Sequence, residues 1–442
     1  MKFYIHKLGC PKNDVDADYI AARLIEDGHE PVREATDADS IVVNTCGFIA
    51  DAKQESIDEL LRLGQLKKDG RLQTLIASGC LSQRHGDEML AEIPELDSAF
   101  GLGKLDSIAG SIDKTESKSE RQVVRQESRK LGYLDFKYRF LADDFPYAYI
   151  KISDGCDRGC SYCAIPGMRG RFRSRPIKSI LNEAQFLAKQ GRKELILVSQ
   201  EATCYGFDLP GRPRLLDLLS ELEKIDGIEW IRIMYLLPSA VDDELIAHMT
   251  SKNKTLNYFD LPLQHVDSGI LKMMNRQIES ERLKRLLDKI READSKATIR
   301  ATLMVGFPGE TEEHFFALRE FVTKQEFDRM GVFQYSAEEG TLAAQMPDQV
   351  EEEVMSDRLD ELMSLQREIA FDRNNSLIGS QQEVIIDSVG SEGQVVGRTK
   401  GDCPEIDQEV LVSGADAEVG MIREVKITAT DGYDLIGEFA ER

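Results

Sequence analysis

ISDGCDRGCSYCAIPGMRGRFRSR, residues 152–175, carries Cys156, Cys160 and Cys163 at C-x3-C-x2-C spacing. Iron–sulfur clusters are normally held by four cysteine thiolates. A compact loop that offers three therefore suggests a four-iron cube with one iron open to a ligand. The preceding YAYIKIS reads as a buried strand, and a helical pattern begins at Pro176, which places the cysteines on a loop between elements. A zinc knuckle would want a second ligand pair at its own short spacing, and none follows.

Outward from this loop, strand and helix alternate. Strands are expected at 147–153, 194–199, 229–234, 257–263, 299–306 and 329–335, with helices near 176–190, 213–224, 242–250, 280–294 and 311–325. That is a partial α/β barrel, open on one side, since a complete barrel needs about eight units and 250 residues. Functional groups should gather at the carboxyl ends of its strands. Ser199, Gln200 and Glu201 follow the second strand there, Gln264 and His265 the fourth, and Gly306, Phe307, Pro308, Gly309 and Glu310 the fifth. They are read as lining a cofactor pocket and the substrate mouth. Arg169, Arg171, Arg173 and Arg175, four arginines in an acidic protein, are expected to hold carboxylates.

Upstream, KFYIHKL, SIVVN, QTLIAS and SAFGL alternate with helical patterns at 14–27, 51–68 and 82–92 and a further helix after SAFGL. This predicts a parallel sheet with covering helices. Cys10, Cys46 and Cys80 each follow one of these strands. Ligands bind outside the carboxyl ends of parallel strands, so the three thiols would converge at one sheet edge as a second cluster site. No G-x-G-x-x-G follows the first strand, which argues against a dinucleotide site. Downstream, Val354, Leu359, Leu362, Leu365 and Ile369 mark a packing helix over 351–376, and five short strands with glycine turns from Gln381 onward suggest a small antiparallel β-barrel. The expected division is 1–115, a polar linker over 116–144, 145–375 and 376–442.

The chain has 442 residues and a net charge of −23, which disfavours a bulk nucleic-acid binder and favours a basic partner. Its start, MKFYIHKLGC, shows no signal-peptide pattern, and no run of about 18 apolar residues occurs, so a cytoplasmic protein without membrane contact is expected. Eight cysteines in a reducing compartment are better read as metal ligands or buried thiols than as disulfides.

The C-x3-C-x2-C spacing with Tyr162 before the last cysteine is similar to the signature of the radical S-adenosylmethionine (SAM) enzymes. The resemblance implies a [4Fe–4S] cluster whose open iron chelates SAM, and cleavage of SAM to a 5′-deoxyadenosyl radical. It also implies that Tyr162, Ser199, Gln200, Gln264, Gly306, Pro308 and Gly309 border the cofactor. The order of modules resembles the methylthiotransferase family along almost the entire chain. LGCPKN, VNTCGFI, KISDGC, PGMRG, LPLQH, VGFPGET and GRTKGDCPEID look like the branch that modifies a ribosomal protein. That branch implies a second [4Fe–4S] cluster on Cys10, Cys46 and Cys80, an electron donor such as flavodoxin or ferredoxin, and methylthio transfer to the β-carbon of an aspartate in small-subunit ribosomal protein S twelve. Glu201, Cys204 and Cys403 depart from the family pattern, and both extra cysteines are read as structural. A transfer-RNA adenosine methylthiotransferase, or a cluster-bearing RNA-binding protein without catalysis, stays open as another reading.

Overall fold

The computed structural model describes residues 1–112, 121–132, 139–390, 394–413 and 417–440. Its first sheet is built from β1 (Lys2–Lys7), α1 (Pro11–Glu26), β2 (Glu30–Pro31), β3 (Ser40–Thr45), α2 (Ala50–Lys68), β4 (Thr74–Gly79), α3 (Cys80–Glu92), β5 (Ser98–Phe100), α4 (Ala109–Ile112) and β6 (Gln122–Val124). All its ladders are parallel, in the order β2-β1-β3-β4-β5-β6. Residues alternate between the two faces, as the strand period of two requires. Ile41, Val43 and Leu75 pack with Leu60 and Leu63 of α2, while Val42 and Ile76 pack with Ile20 and Leu24 of α1. Both faces are thereby buried, the normal condition of a parallel sheet.

The helix expected after SAFGL is instead a 3-10 turn over Leu102–Ser107, broken by non-helical Lys104, and then the single turn of α4. In the stretch read as a linker, residues 113–120 and 133–138 lie outside the described residues, and between them β6 extends the sheet beside β5.

The barrel comprises β7 (Tyr147–Lys151), β8 (Ser153–Asp154), α5 (Ile165–Arg169), β9 (Arg173–Ser174), α6 (Ile177–Lys189), β10 (Glu194–Val198), α7 (Leu215–Leu222), β11 (Trp230–Ile233), α8 (Asp243–Met249), β12 (Tyr258–Gln264), α9 (Ser268–Met273), α10 (Ser280–Ala293), β13 (Thr298–Val305), α11 (Glu312–Gln325) and β14 (Arg329–Gln334), followed by α12 (Glu352–Ser376). The expected strands all form, in parallel sets β7-β10-β11 and β12-β13-β14. A parallel bridge between Ile231 and Thr255 and a 2.9 Å bond from Leu236 N–H to the Asp260 carbonyl join the sets. Helices cover the outer face, as α10 does with Leu283, Leu286, Leu287 and Ile290 at helical spacing.

β15 (Gln381–Val389), β16 (Val395–Thr399), β17 (Val410–Ser413), β18 (Ile422–Asp431) and β19 (Asp434–Phe439) close a small barrel in the order β15-β16-β17-β19-β18. Its ladders are antiparallel except β17–β19, which is parallel. It docks on the amino ends of the large barrel's strands. There Glu194 of β10 pairs with Arg232 of β11 at 2.8 Å and with Arg398 of β16 at 2.9 Å, all fully or almost fully buried. The carboxyl ends face the N-terminal sheet.

Candidate active site

The loop with Cys156, Cys160 and Cys163 is fixed by its backbone. Gly155 has φ +76°, and a Cβ on it would lie 2.1 Å from the Arg171 carbonyl oxygen, so only glycine lets the loop close. Cys156 N–H donates to the Gly170 carbonyl at 3.1 Å, and Ser161 N–H to the Met274 carbonyl at 3.1 Å. Asn275 Nδ2 holds the Gly159 carbonyl at 2.8 Å. Arg276 Nη1 lies 3.8 Å from Cys160 Sγ, and the Tyr162 ring meets Phe307 edge-on with centroids 6.4 Å apart. Burial pushes the Cys156 thiol up to about 11 and the Cys163 thiol up to about 12, and the Cys160 sulfur adds to both. Such thiols become thiolates when a cationic metal takes their charge, so this donor set fits an iron–sulfur cluster. Among the described residues no three His, Cys, Asp or Glu are set for a single ion. A cluster is gripped at separate irons and needs no such tight grouping.

Cys10, Cys46 and Cys80 follow β1, β3 and β4, which are neighbours in the sheet, so the structure brings them to one edge. A Cβ on Gly9 would stand 3.0 Å from Cys46 Sγ, and Gly79, at φ +97°, packs so close to Asn44 Oδ1 that a Cβ would come within 2.5 Å. Asn13 knits the edge: its Nδ2 donates to the Leu8 carbonyl at 2.9 Å and the Thr45 carbonyl at 3.1 Å, and its Oδ1 stands 3.9 Å from Cys80 Sγ. Arg169 Nη2 donates to the same Oδ1 at 2.7 Å. Burial raises Cys80 to about 12 and raises Cys46, and the Arg169 guanidinium opposes both shifts. Arg169 ends α5, the helix that follows Cys163, so α5 runs from one thiol set to the other.

Ser199, Gln200, Gln264, Gly306, Pro308 and Gly309 all lie at the carboxyl ends of barrel strands, though the glycine turn is separated from Ser199 and Gln200 by the ends of β11 and β12. Ser199 Oγ, both ends of the Gln200 amide, Gln264 Oε1 and His265 Nε2 are buried with no hydrogen-bond partner among the described residues. Buried polar groups are normally paired, so this concentration fits a ligand rich in donors and acceptors, as SAM is. Gln264, at φ +72°, and Tyr235, at φ +62°, occupy left-handed backbone at the ends of adjacent strands, a strain that clusters at functional sites. His265 Nδ1 accepts from Asp267 N–H at 3.0 Å, which puts the ring proton on Nε2, 3.7 Å from Glu310 Oε2. Glu310 also accepts from Gly306 N–H at 3.1 Å and pairs with Arg358 of α12 at 2.8 Å, locking the turn.

The four arginines hold carboxylates of this same chain. Arg169 bonds Asp16 at 3.3 Å and Asp154 at 3.2 Å, Arg171 bonds Asp157 at 3.3 Å, Arg173 lies 3.7 Å from Asp154, and Arg175 pairs with Glu183. Charge composition alone could not tell an internal carboxylate from a ligand. Glu201 pairs with Arg158 at 2.8 Å, and Arg158 reaches Cys204 Sγ at 2.6 Å; Cys403 is buried beside Tyr149 and Tyr258. No sequence motif marks Lys12 or Tyr235 as functional, yet Lys12 Nζ lies 3.7 Å from the Tyr235 ring centroid and donates to the Ser199 carbonyl at 3.2 Å. Lys12 stands two places after Cys10, which was the available signal.

Residues 150–322 match the radical SAM superfamily, residues 2–101 an uncharacterized protein family (UPF0004), and residues 378–440 the TRAM domain. Among solved structures, the radical SAM methyltransferase TsrM of Kitasatospora setae superposes with a TM-score of 0.52 at 15% identity, over 75% of this chain and 72% of that one. That likeness speaks to the fold. Over nearly full length, the chain is 44% identical to the ribosomal protein uS12 methylthiotransferase RimO of Desulfitobacterium hafniense, covering 100% of this chain and 99% of that protein. The RimO of Geobacter sulfurreducens is likewise 44% identical, covering 98% and 97%, and that of Clostridioides difficile 42%, covering 99% and 98%. With the radical SAM core come a [4Fe–4S] cluster and SAM, and by these matches the chain belongs to the RimO family of radical SAM methylthiotransferases.

Proposed function

We propose that this enzyme adds a methylthio group to the β-carbon of an aspartate in ribosomal protein uS12. The observation that carries the reading is the pair of three-thiol sets, on the barrel loop and on the sheet edge, linked through α5, whose Arg169 bonds Asn13 beside the second set. Cys156, Cys160 and Cys163 would hold the cluster that binds SAM, and Cys10, Cys46 and Cys80 an auxiliary cluster. When bound, these groups would supply a carbon-centred radical on one side and sulfur with its methyl group on the other. Ser199, Gln200 and Gln264 offer unpaired polar atoms to SAM, and the Gly306–Gly309 turn borders it. The N-terminal domain packs on the carboxyl ends of the barrel strands, through Lys12 on the Ser199 carbonyl, Asp16 on Lys151, and Lys53 and Arg84 on Glu338, and would help keep water from the chemistry. An electron donor of the flavodoxin or ferredoxin class would supply the reducing equivalent.

Anaerobically reconstituted protein should bind about eight irons, two four-iron cubes. Replacing all three of Cys156, Cys160 and Cys163 with alanine should remove one cube and all SAM cleavage. Replacing Cys10, Cys46 and Cys80 should spare cleavage and abolish sulfur insertion. In a strain lacking the gene, uS12 should lose its methylthio mass and regain it on complementation. Unchanged uS12 together with a lost methylthio group on transfer RNA would move the assignment to the RNA-modifying branch.

A further inference from the structure

We propose that Lys12 binds the carboxylate of the substrate aspartate, and so fixes the carbon that is modified. The inference rests on the function proposed above and names the recognition group at that same site. Lys12 is 7% exposed; its ammonium donates to the Ser199 carbonyl at 3.2 Å, lies over the ring of Tyr235, and feels the nearby Cys10 sulfur. No carboxylate among the described residues pairs with it. The neighbouring buried cations on this interface are all paired: Arg169 with Asp16 and Asp154, Lys151 with Asp16, and Arg139 with Asp18 at 2.6 Å and Glu183 at 2.8 Å. A buried ammonium without a carboxylate partner is costly, and that cost falls when a carboxylate arrives.

Position makes that anion the substrate's carboxylate. Lys12 lies in the first turn of α1, just after Cys10, and its tip reaches the end of β10. It therefore spans the gap between the auxiliary thiols and the barrel mouth. The reacting carbon must occupy that gap, because it loses hydrogen to one side and gains sulfur from the other. In aspartate the carboxyl carbon is bonded directly to that β-carbon, so holding the carboxylate aims the C–H bond. An ammonium has three donors; the Ser199 bond uses one and Tyr235 engages another, which leaves one for the carboxylate. An amide side chain would leave the ammonium uncompensated, which predicts discrimination between aspartate and asparagine.

The test uses reconstituted holoenzyme, as wild type, Lys12→Met and Lys12→Arg, with uS12 bearing either aspartate or asparagine at the modified position. Iron content and circular dichroism report whether each variant folds and loads. In Lys12→Met, KM for uS12 should rise far more than kcat falls, with kcat/KM down about 100-fold, the range expected for losing one partner of a desolvated charge pair. The preference for aspartate over asparagine should disappear. Lys12→Arg, which keeps the charge, should keep the preference even if the methionine variant folds poorly. Wild-type kcat/KM in folded Lys12→Met, or loss of the preference in folded Lys12→Arg, would overturn the proposal. Wild-type enzyme that leaves uS12 unmodified would overturn the functional reading and this proposal with it.

Discussion

His265 is fully buried behind the β12 end, and burial depresses its pKa from 6.5 to about 3. Below pH about 6.5 the unfolded histidine takes up a proton that the folded one refuses, so stability should fall as pH drops from 6.5 toward 3. His265→Gln should flatten that acid limb, a difference of a few kcal/mol near pH 4 measurable by urea unfolding across pH. An unchanged limb would place the acid sensitivity elsewhere. At Gly155 the constraint is steric: Gly155→Ala meets the Arg171 carbonyl in a backbone conformation that alanine rarely adopts. The variant should lose cluster iron from the barrel site while the auxiliary set still loads, as read by iron analysis and Mössbauer spectroscopy. Full iron content would show that the loop tolerates a Cβ.

At the scale of elements, Glu194 ties the two barrels by holding both Arg232 and Arg398. Glu194→Ala leaves Arg232 buried without its carboxylate and should cost about 3–5 kcal/mol of unfolding free energy, with the C-terminal barrel melting separately. A single transition at wild-type midpoint would contradict that coupling. The regular elements were legible in the sequence because α10 repeats its apolar residues at helical spacing, while β10 is a short continuous apolar run, as a strand buried on both faces is. Periodicity could not reveal the brief β6, nor show that the helix expected after SAFGL breaks into a 3-10 turn and the single turn of α4. Placing the cysteines after strands was enough to forecast a shared edge, since β1, β3 and β4 turn out to be neighbours. What stayed hidden was contact between distant segments: Lys12 on Tyr235, Arg169 on Asp16, and Arg398 on Glu194 each join residues from different parts of the fold.

Over the whole molecule the net charge is −23, and residues 376–442 alone carry 14 acidic against 5 basic side chains, a net of −9. Not all of this charge is available to a partner. Glu405 accepts from Tyr147 and Tyr149, and Asp407 bonds Tyr258 and Arg300, so both serve the junction between the barrels. Glu424, Asp431 and Glu438 are exposed. Reversing these three to lysine should slow association with uS12 and raise affinity for bare RNA, and wild-type association should slow as salt rises. An association rate independent of salt in stopped-flow mixing would remove charge from the account of partner choice.

The central claim is that the two thiol sets linked through α5 cooperate to place a methylthio group on an aspartate of uS12. Its most direct test is tandem mass spectrometry of uS12 after anaerobic incubation with reconstituted enzyme, SAM and a reductant. A methylthio group in place of one hydrogen on the β-carbon of a single aspartate, absent when either cysteine set is replaced by alanine, is the predicted result. An unmodified uS12 with fully loaded enzyme, or modification that survives loss of Cys10, Cys46 and Cys80, would contradict it.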